Sequence, residues 1–431
     1  MRTFFTLWLL FSCTTLLAQP HTPTENRELP RGGIMPYASA ADAAAGVDNH
    51  RYGTLIEEWS LDGTTFAANF TVPFAWNNRQ VLVRIESASA PYEVRVNGRR
   101  TGYNADPNTP ADFLLTKQVA EGRNHLEITL NADSATRTIE GWKKGNEKPH
   151  VGRVQVFSSP TMGIRDVLVT TRMSEEPQRA NAEFGIVVKS YALNSRTVRI
   201  YYELLNPQGE QVAQGHNDLT LRMRGEDTVR VMAAIPDSLL WSTTKPQHHT
   251  LRLRTQQEGR FLEYHSLPVG LRAVEMREGR LYINGEAATL DLSGIAPDAT
   301  PEQIALLRKA GANLLRVEAG AHLEALYNYC DTTGLLLIAQ APIDSHLQGD
   351  SRVKGGNPSN DPAWRDSYIE RAANSYHTTK RHPSVIGFSI ANDSSNGICL
   401  YEAYLHLKKQ GDERVILYPA AGGEWNSDTL K

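Results

Sequence analysis

Apolar residues return at every second position through the first half of the chain. Phe66, Ala68, Phe70 and Val72 share one face, as do Val81, Val83 and Ile85, then Tyr92, Val94 and Val96, then Leu126, Ile128 and Leu130. Successive strand side chains point to opposite faces, so this spacing predicts half-buried strands of an all-β domain over residues 51–172. Asn97-Gly98 predicts a tight hairpin turn, because both residues tolerate positive φ. A second alternating region over 173–271 carries Phe184, Ile186 and Val188, then Val198, Ile200, Tyr202 and Leu204, with a turn at Asn206-Pro207-Gln208-Gly209. Its strand number and spacing suit a small immunoglobulin-like sandwich. Residues 19–50, rich in Pro, Ala and polar side chains, read as an irregular lead-in.

The pattern changes at about residue 272. Apolar runs at Leu314–Val317, Leu335–Ala339, Val385–Ala391 and Val415–Tyr418 alternate with helical patterns at 301–310, 322–333, 362–381 and 397–410. The first helix has a capping box in Thr300 and Gln303, Pro301 in its first turn and Gly311 beyond its end. Such alternation predicts right-handed βαβ units on a parallel sheet. With a first strand near Ala288–Leu292, residues 272–431 hold about five strands, where a closed eight-stranded barrel takes roughly 250 residues.

Composition adds exclusions. The net charge of −3, from 45 basic and 48 acidic residues, gives no reason to expect a nucleic-acid partner. Arg2, the apolar stretch Phe4–Phe11, and Leu16-Leu17-Ala18 before Gln19 read as a secretory signal over residues 1–18. The mature chain is then exported to the periplasm or outside the cell. A lipoprotein signal with Cys13 as the lipidated residue stays open as an alternative. Of the two remaining cysteines, Cys330 and Cys399, either a single bridge or two small buried hydrophobes is open; a disulfide framework is excluded by count.

Several strings, in order, resemble glycoside hydrolase family 2 of the β-galactosidase kind. Pro30-Arg31-Gly32-Gly33-Ile34-Met35-Pro36-Tyr37 resembles the family's opening string. VRVNGRRTGY and EGRNHLEITL within 92–130 resemble its sugar-binding domain, and Gly163-Ile164-Arg165-Asp166-Val167 that domain's closing strand. Leu240-Trp241-Ser242, Pro246 and HHTLRLR resemble the end of the middle sandwich. VGLRAVEMREGRLYINGE resembles the entry to the barrel, and Arg381-His382-Pro383-Ser384-Val385-Ile386 with Ala391-Asn392-Asp393 its fourth strand. The resemblance implies a jelly-roll-like β-sandwich, an immunoglobulin-like sandwich and an incomplete (β/α)8 TIM barrel of about five βα units.

It also implies a site. The family's acid/base Glu falls on Asp393, one methylene shorter, and its nucleophile belongs to a seventh strand that these residues do not reach. Arg316, Asn392 and Trp425 are the implied or candidate glycan-binding residues; Trp76, Trp142 and Trp364 could also stack on sugars or simply pack. Asp344, His346 and Asp393 fall where the family holds a divalent cation such as Mg²⁺; the bland alternative is a capped turn beside an exposed loop histidine. Glu318 and Glu424 are substitute carboxylates or solvated loop residues. The implied partner is a β-galactoside-like glycan. The implied function is glycan binding with weak or no hydrolysis. The alternatives are a glycosidase whose barrel is completed by a partner chain or second copy, and a non-catalytic extracytoplasmic interaction module.

Overall fold

The computed structural model describes residues 22–132, 134–141, 148–290, 292–294, 299–320 and 323–430. The expected secretory signal over residues 1–18, with Cys13, and Trp142 lie outside the described residues.

The first sandwich stacks two sheets. One contains Gly53–Leu55, Val154–Pro160, Arg79–Ile85 and Ala111–Leu114, in that order. The other contains Ser60–Asp62, Thr65–Val72, Gly122–Leu130, Tyr92–Val96 and Arg99–Asn104. The alternating residues Phe66, Ala68, Phe70 and Val72 face Val81, Val83 and Ile85 in one core. Asn97 and Gly98 have φ of 50° and 74°, the left-handed pair a two-residue hairpin turn requires.

The lead-in has little regular structure but is tied down along its length. Glu25 bridges Tyr103 and Arg27 bridges Phe113 on the first sandwich, and Tyr37 bridges Tyr264 on the second. A short helix, Ala40–Ala45, follows with Ser39 as its cap. Isolated bridges leave no periodic trace, so the sequence pattern shows no element here. This strap ties the two sandwiches together.

In the second sandwich, Met162–Met173, Arg179–Ser190 and Glu226–Pro236 form one sheet. Gln211–Leu221, Arg196–Leu205, His249–Gln257 and Arg260–Val269 form the other. Met162–Met173 pairs along its length with Arg179–Ser190, so residues 162–172 belong to this sandwich rather than to the first.

In the third unit, five parallel strands lie side by side in chain order: Leu292–Gly294, Leu314–Glu318, Leu336–Gln340, Val385–Ser389 and Val415–Leu417. The first begins at Leu292, not Ala288. The second to fifth strands are largely apolar because both faces are covered, with polar residues such as Arg316, Glu318, Gln340 and Ser389 toward their C-terminal ends. Leu315, Val317, Leu337 and Ala339 pack outward under helices Glu324–Thr333 and Arg365–Thr379, against Leu326 and Tyr368. Leu314, Leu336, Ile338 and Val415 point the other way, onto Trp241, Leu281 and Ile283. The Thr300–Gln303 capping box is formed. Cys330 and Cys399 are buried free thiols, so the bridge is ruled out.

Helix Arg365–Thr379 buries polar side chains against the first sandwich. Arg371 lies 2.6 Å from Glu140, and Asn374 donates to Asp106 at 2.7 Å. Just beyond it, Lys380 pairs with Asp166 with both side chains sealed from solvent. Burial pushes the Asp166 carboxyl up, but Lys380 and His377 outweigh it and hold the group well below the usual carboxylate range. These contacts fix the strand ends relative to the sandwiches.

Candidate functional site

Pairing continues past the ends of the third and fourth barrel strands. Ala341 N–H donates to Ser389 O at 2.8 Å, and Asn392 N–H to Ile343 O at 2.8 Å. Asp344 and Asn392 are therefore side by side. The Asn392 amide donates to Asp344 Oδ2 at 2.8 Å, and its oxygen accepts from Arg316 at 3.3 Å. Asp344 Oδ1 accepts the His346 backbone N–H at 3.2 Å and also meets His346 Nδ1. The result is a polar chain, Arg316–Asn392–Asp344–His346, running from the second strand end to the loop after the third.

Asp344 is 2% exposed, whereas the His346 ring is 42% exposed. The hydrogen bond to Asp344 raises the His346 pKa above the ordinary imidazole value. Burial lowers that of Arg316. Below this chain, Ser345 N–H donates to Asp393 O at 2.9 Å. The Ser345 hydroxyl lies 2.8 Å from both Asn357 Oδ1 and Ser394 Oγ, and accepts from Tyr368 OH at 3.1 Å. This fully paired hydroxyl cluster holds both strand-end loops in place.

The first sandwich reaches the same place. Asp344 N–H donates to Ile139 O at 2.7 Å, and Gly141 N–H to Asp344 O at 2.7 Å. Nothing in the sequence pattern marks Ile139–Gly141, Ser345, Asn357 or Ser394 as site residues. Their proximity is set by long-range docking, not by spacing.

Asp344, His346 and Asp393 do not fit the implied Mg²⁺. Both Asp344 oxygens already accept hydrogen bonds, from Asn392 and from His346. Among the described residues no three His, Cys, Asp or Glu side chains converge to hold a metal ion. Aspartates in place of longer glutamates reach less far into the space between the strand ends.

The remaining candidates separate. Trp425 is 63% exposed and packs on Tyr401 of helix Ile398–Lys408, so it is not gathered with Arg316 and Asn392. Trp76 is buried and donates to Arg51 O at 2.7 Å, a packing role. Trp364 is half-buried against the barrel core. Glu318 is buried, not a solvated loop carboxylate. Glu424 pairs with Arg352 at 2.7 Å. Asp393 is exposed at the rim. The cluster thus offers a guanidinium, an amide, an imidazole and one exposed carboxylate. That set suits the hydroxyls of a polar neutral ligand.

Two family models match the chain: "Glycosyl hydrolases family 2, TIM barrel domain" over residues 281–430 and "Glycosyl hydrolases family 2" over 162–272. Similar curated proteins include the beta-galactosidases of Psychromonas ingrahamii, 26% identical over 383 residues and 83% of this chain, and Priestia megaterium, 22% identical over 374 residues and 82% of this chain. The chain spans 36% of the length of each. Solved structures with the same fold include a beta-glucuronidase of Bacteroides uniformis, with TM-score 0.67 and 16% identity, covering 82% of this chain and 46% of that one. A glycosyl hydrolase family 2 member of Bacteroides cellulosilyticus gives TM-score 0.67 and 17% identity, with 82% and 49% covered.

Proposed function

The chain belongs to glycoside hydrolase family 2, and from that premise we propose that it is an extracytoplasmic glycan-binding member with weak or no hydrolysis of its own. One observation carries this reading. The carboxylates near the strand ends are not gathered as a facing pair: buried Asp344 is held by Asn392 and His346, exposed Glu424 is paired with Arg352, and Asp393 is exposed at the rim. A retaining glycosidase needs two carboxyl groups about 5–5.5 Å apart, one to donate and accept a proton and one to attack the anomeric carbon. A misplacement of about 1 Å costs on the order of 100-fold, and Asp393 carries a shorter side chain than the glutamate the family uses there.

In this reading Arg316 and Asn392 hold sugar hydroxyls, and His346 and Asp393 border the opening. A β-galactoside is the favoured ligand class, from the names of the curated relatives. The purified chain is expected to leave aryl β-galactosides and aryl β-glucuronides uncleaved above background while binding a galactoside, with Arg316→Ala weakening that binding about tenfold. Turnover that disappears in Asp393→Ala overturns the reading.

A second reading is a glycosidase completed by another chain or a second copy. It is favoured by strand Val415–Leu417, which pairs with Val385–Ser389 on one side and, among the described residues, with no strand on the other. Light scattering that gives a monomer alone and with candidate partner chains counts against it.

A further inference from the structure

The outer face of the second sandwich carries an ordered row of rings. Four strands lie in the order Gln211–Leu221, Arg196–Leu205, His249–Gln257 and Arg260–Val269. Their register sets His216 opposite Tyr201, Tyr201 opposite Arg254, and Arg254 opposite Tyr264. With strands about 4.8 Å apart, this row is about 14 Å long. The His216 and Tyr201 centroids are 5.5 Å apart. Phe261 joins the row because the register shifts between Thr255 and Gln256. It lies 5.9 Å from Tyr201 and 5.8 Å from Tyr264. The Arg254 guanidinium stacks at 4.9 Å on Tyr201 and 4.7 Å on Phe261.

A polar row runs beside it, two residues along each strand: Gln214 opposite Glu203, Glu203 opposite Arg252, Arg252 opposite Ser266. A cavity of about 630 Å³ is lined by His216, Tyr201, Arg254 and Tyr264 and by the polar row, with Ala40 of the lead-in helix among its walls; Phe261 stands beside it, against Tyr201 and Tyr264. Cross-strand ring pairs stabilise a sheet, and that accounts for part of the first row. It does not account for Phe261, which remains 40% exposed, nor for the walled trough.

We propose that this face binds a neutral oligosaccharide. A pyranose has apolar C–H faces and a rim of hydroxyls. The ring row matches the faces, and the adjacent amide, carboxylate and guanidinium match the rim. Charge gives a polyanion little hold: Glu203 is paired with Arg252 at 3.2 Å and Asp218 with Arg199 at 2.7 Å, which leaves Arg254, stacked on Tyr201 and Phe261, as the single net positive charge among these five groups. The polar row interrupts the apolar surface a lipid or protein partner would want. The site stands on this face alone and is independent of the strand-end cluster.

The test is native electrophoresis through gels containing soluble galactan, β-glucan or polygalacturonate, in an Arg316→Ala background that weakens the strand-end cluster, with the ring variants reporting the share that belongs to this face. Retardation by a neutral glycan is expected, weakened at least tenfold by Phe261→Ala with Tyr264→Ala, and similarly by Tyr201→Ala. Phe261→Ala alone removes an exposed ring and leaves the fold intact, so an unchanged melting temperature with weakened retardation supports the site. No retardation by either neutral glycan, retardation by polygalacturonate only, or retardation indifferent to all three ring variants overturns it. The first of these outcomes, paired with galactoside binding in the chain with Arg316 restored, would leave the strand-end reading standing.

Discussion

The guanidinium of Arg371 lies 2.6 Å from the carboxylate of Glu140, with 0% and 1% of the two side chains exposed. One residue belongs to a barrel helix and the other to the first sandwich. Glu140 follows Ile139, whose carbonyl accepts from Asp344, and precedes Gly141, which donates back to Asp344. A buried ion pair thus anchors the loop that braces the candidate site.

Breaking that pair from one side strands a buried charge. Arg371→Met is expected to lower stability by about 3–5 kcal/mol, read by urea denaturation. Adding Glu140→Gln should recover part of the loss, since no uncompensated carboxylate remains. A double variant no more stable than Arg371→Met alone would show that the guanidinium acts through its bond to Ala105 O, at 3.1 Å, rather than through Glu140.

Acid should weaken the fold through histidines held neutral. Burial pushes both His377 and His249 down to about 4, with Lys380 adding to the effect at His377 and His248 at His249. The unfolded chain takes these protons near 6.5, the folded chain only near 4. The unfolded state therefore binds more protons between those values, and stability rises with pH across that window. Stability is expected to be full above about pH 7 and to fall between about pH 6.5 and pH 4, by up to about 3 kcal/mol for His377. His377→Gln should flatten part of this slope in denaturation curves recorded at stepped pH.

His346 should titrate in the opposite sense. Asp344 raises its pKa, so the pairing is present at low pH and is lost as pH rises through the folded-state value. An NMR titration of the ring is expected to give a midpoint above the ordinary imidazole value, returning to it in Asp344→Asn. A midpoint unmoved by that substitution would mean that the ring is not bonded to Asp344 in solution.

Much of the fold is legible because it obeys short periods. Leu126 and Ile128 alternate with His125, Glu127 and Thr129, and the helix at Pro301–Lys309 carries its own capping box. The strap is not legible, because Glu25, Arg27 and Tyr37 pair one at a time with distant strands. Of the site, Arg316, Asn392 and Asp344 could be named from the family resemblance, but not the chain of hydrogen bonds joining them. That chain depends on Asn392 N–H meeting Ile343 O, a register set by the whole sheet. The implied metal set, Asp344, His346 and Asp393, is not gathered among the described residues; residue identities are visible in a sequence, while the reach of two short aspartates is not. The ring row could not be read either. Tyr201 and Tyr264 are recognisably outward-facing, but their alignment through Arg254 is a property of three strand registers at once.

The junction of the second sandwich with the barrel is set by one glycine. Gly334 ends helix Glu324–Thr333 with φ of 76°, and a Cβ built there would sit 2.1 Å from the carbonyl oxygen of Thr243. Two penalties coincide at this position. A non-glycine residue in the left-handed region costs about 1 kcal/mol, and backbone too close to yield adds roughly 1–3 kcal/mol of overpacking. Gly411 supplies the control, because it has φ of 72° and nothing within 4 Å of its built Cβ. Gly411→Ala is therefore expected to cost only the conformational part, about 1 kcal/mol, and Gly334→Ala clearly more. The excess should appear as earlier protease cleavage in 323–334, because relief requires the helix end to part from the Thr243 loop. Equal losses for the two variants in urea denaturation would mean that the Thr243 segment moves aside freely, and the close approach would then carry no part of the junction's stability.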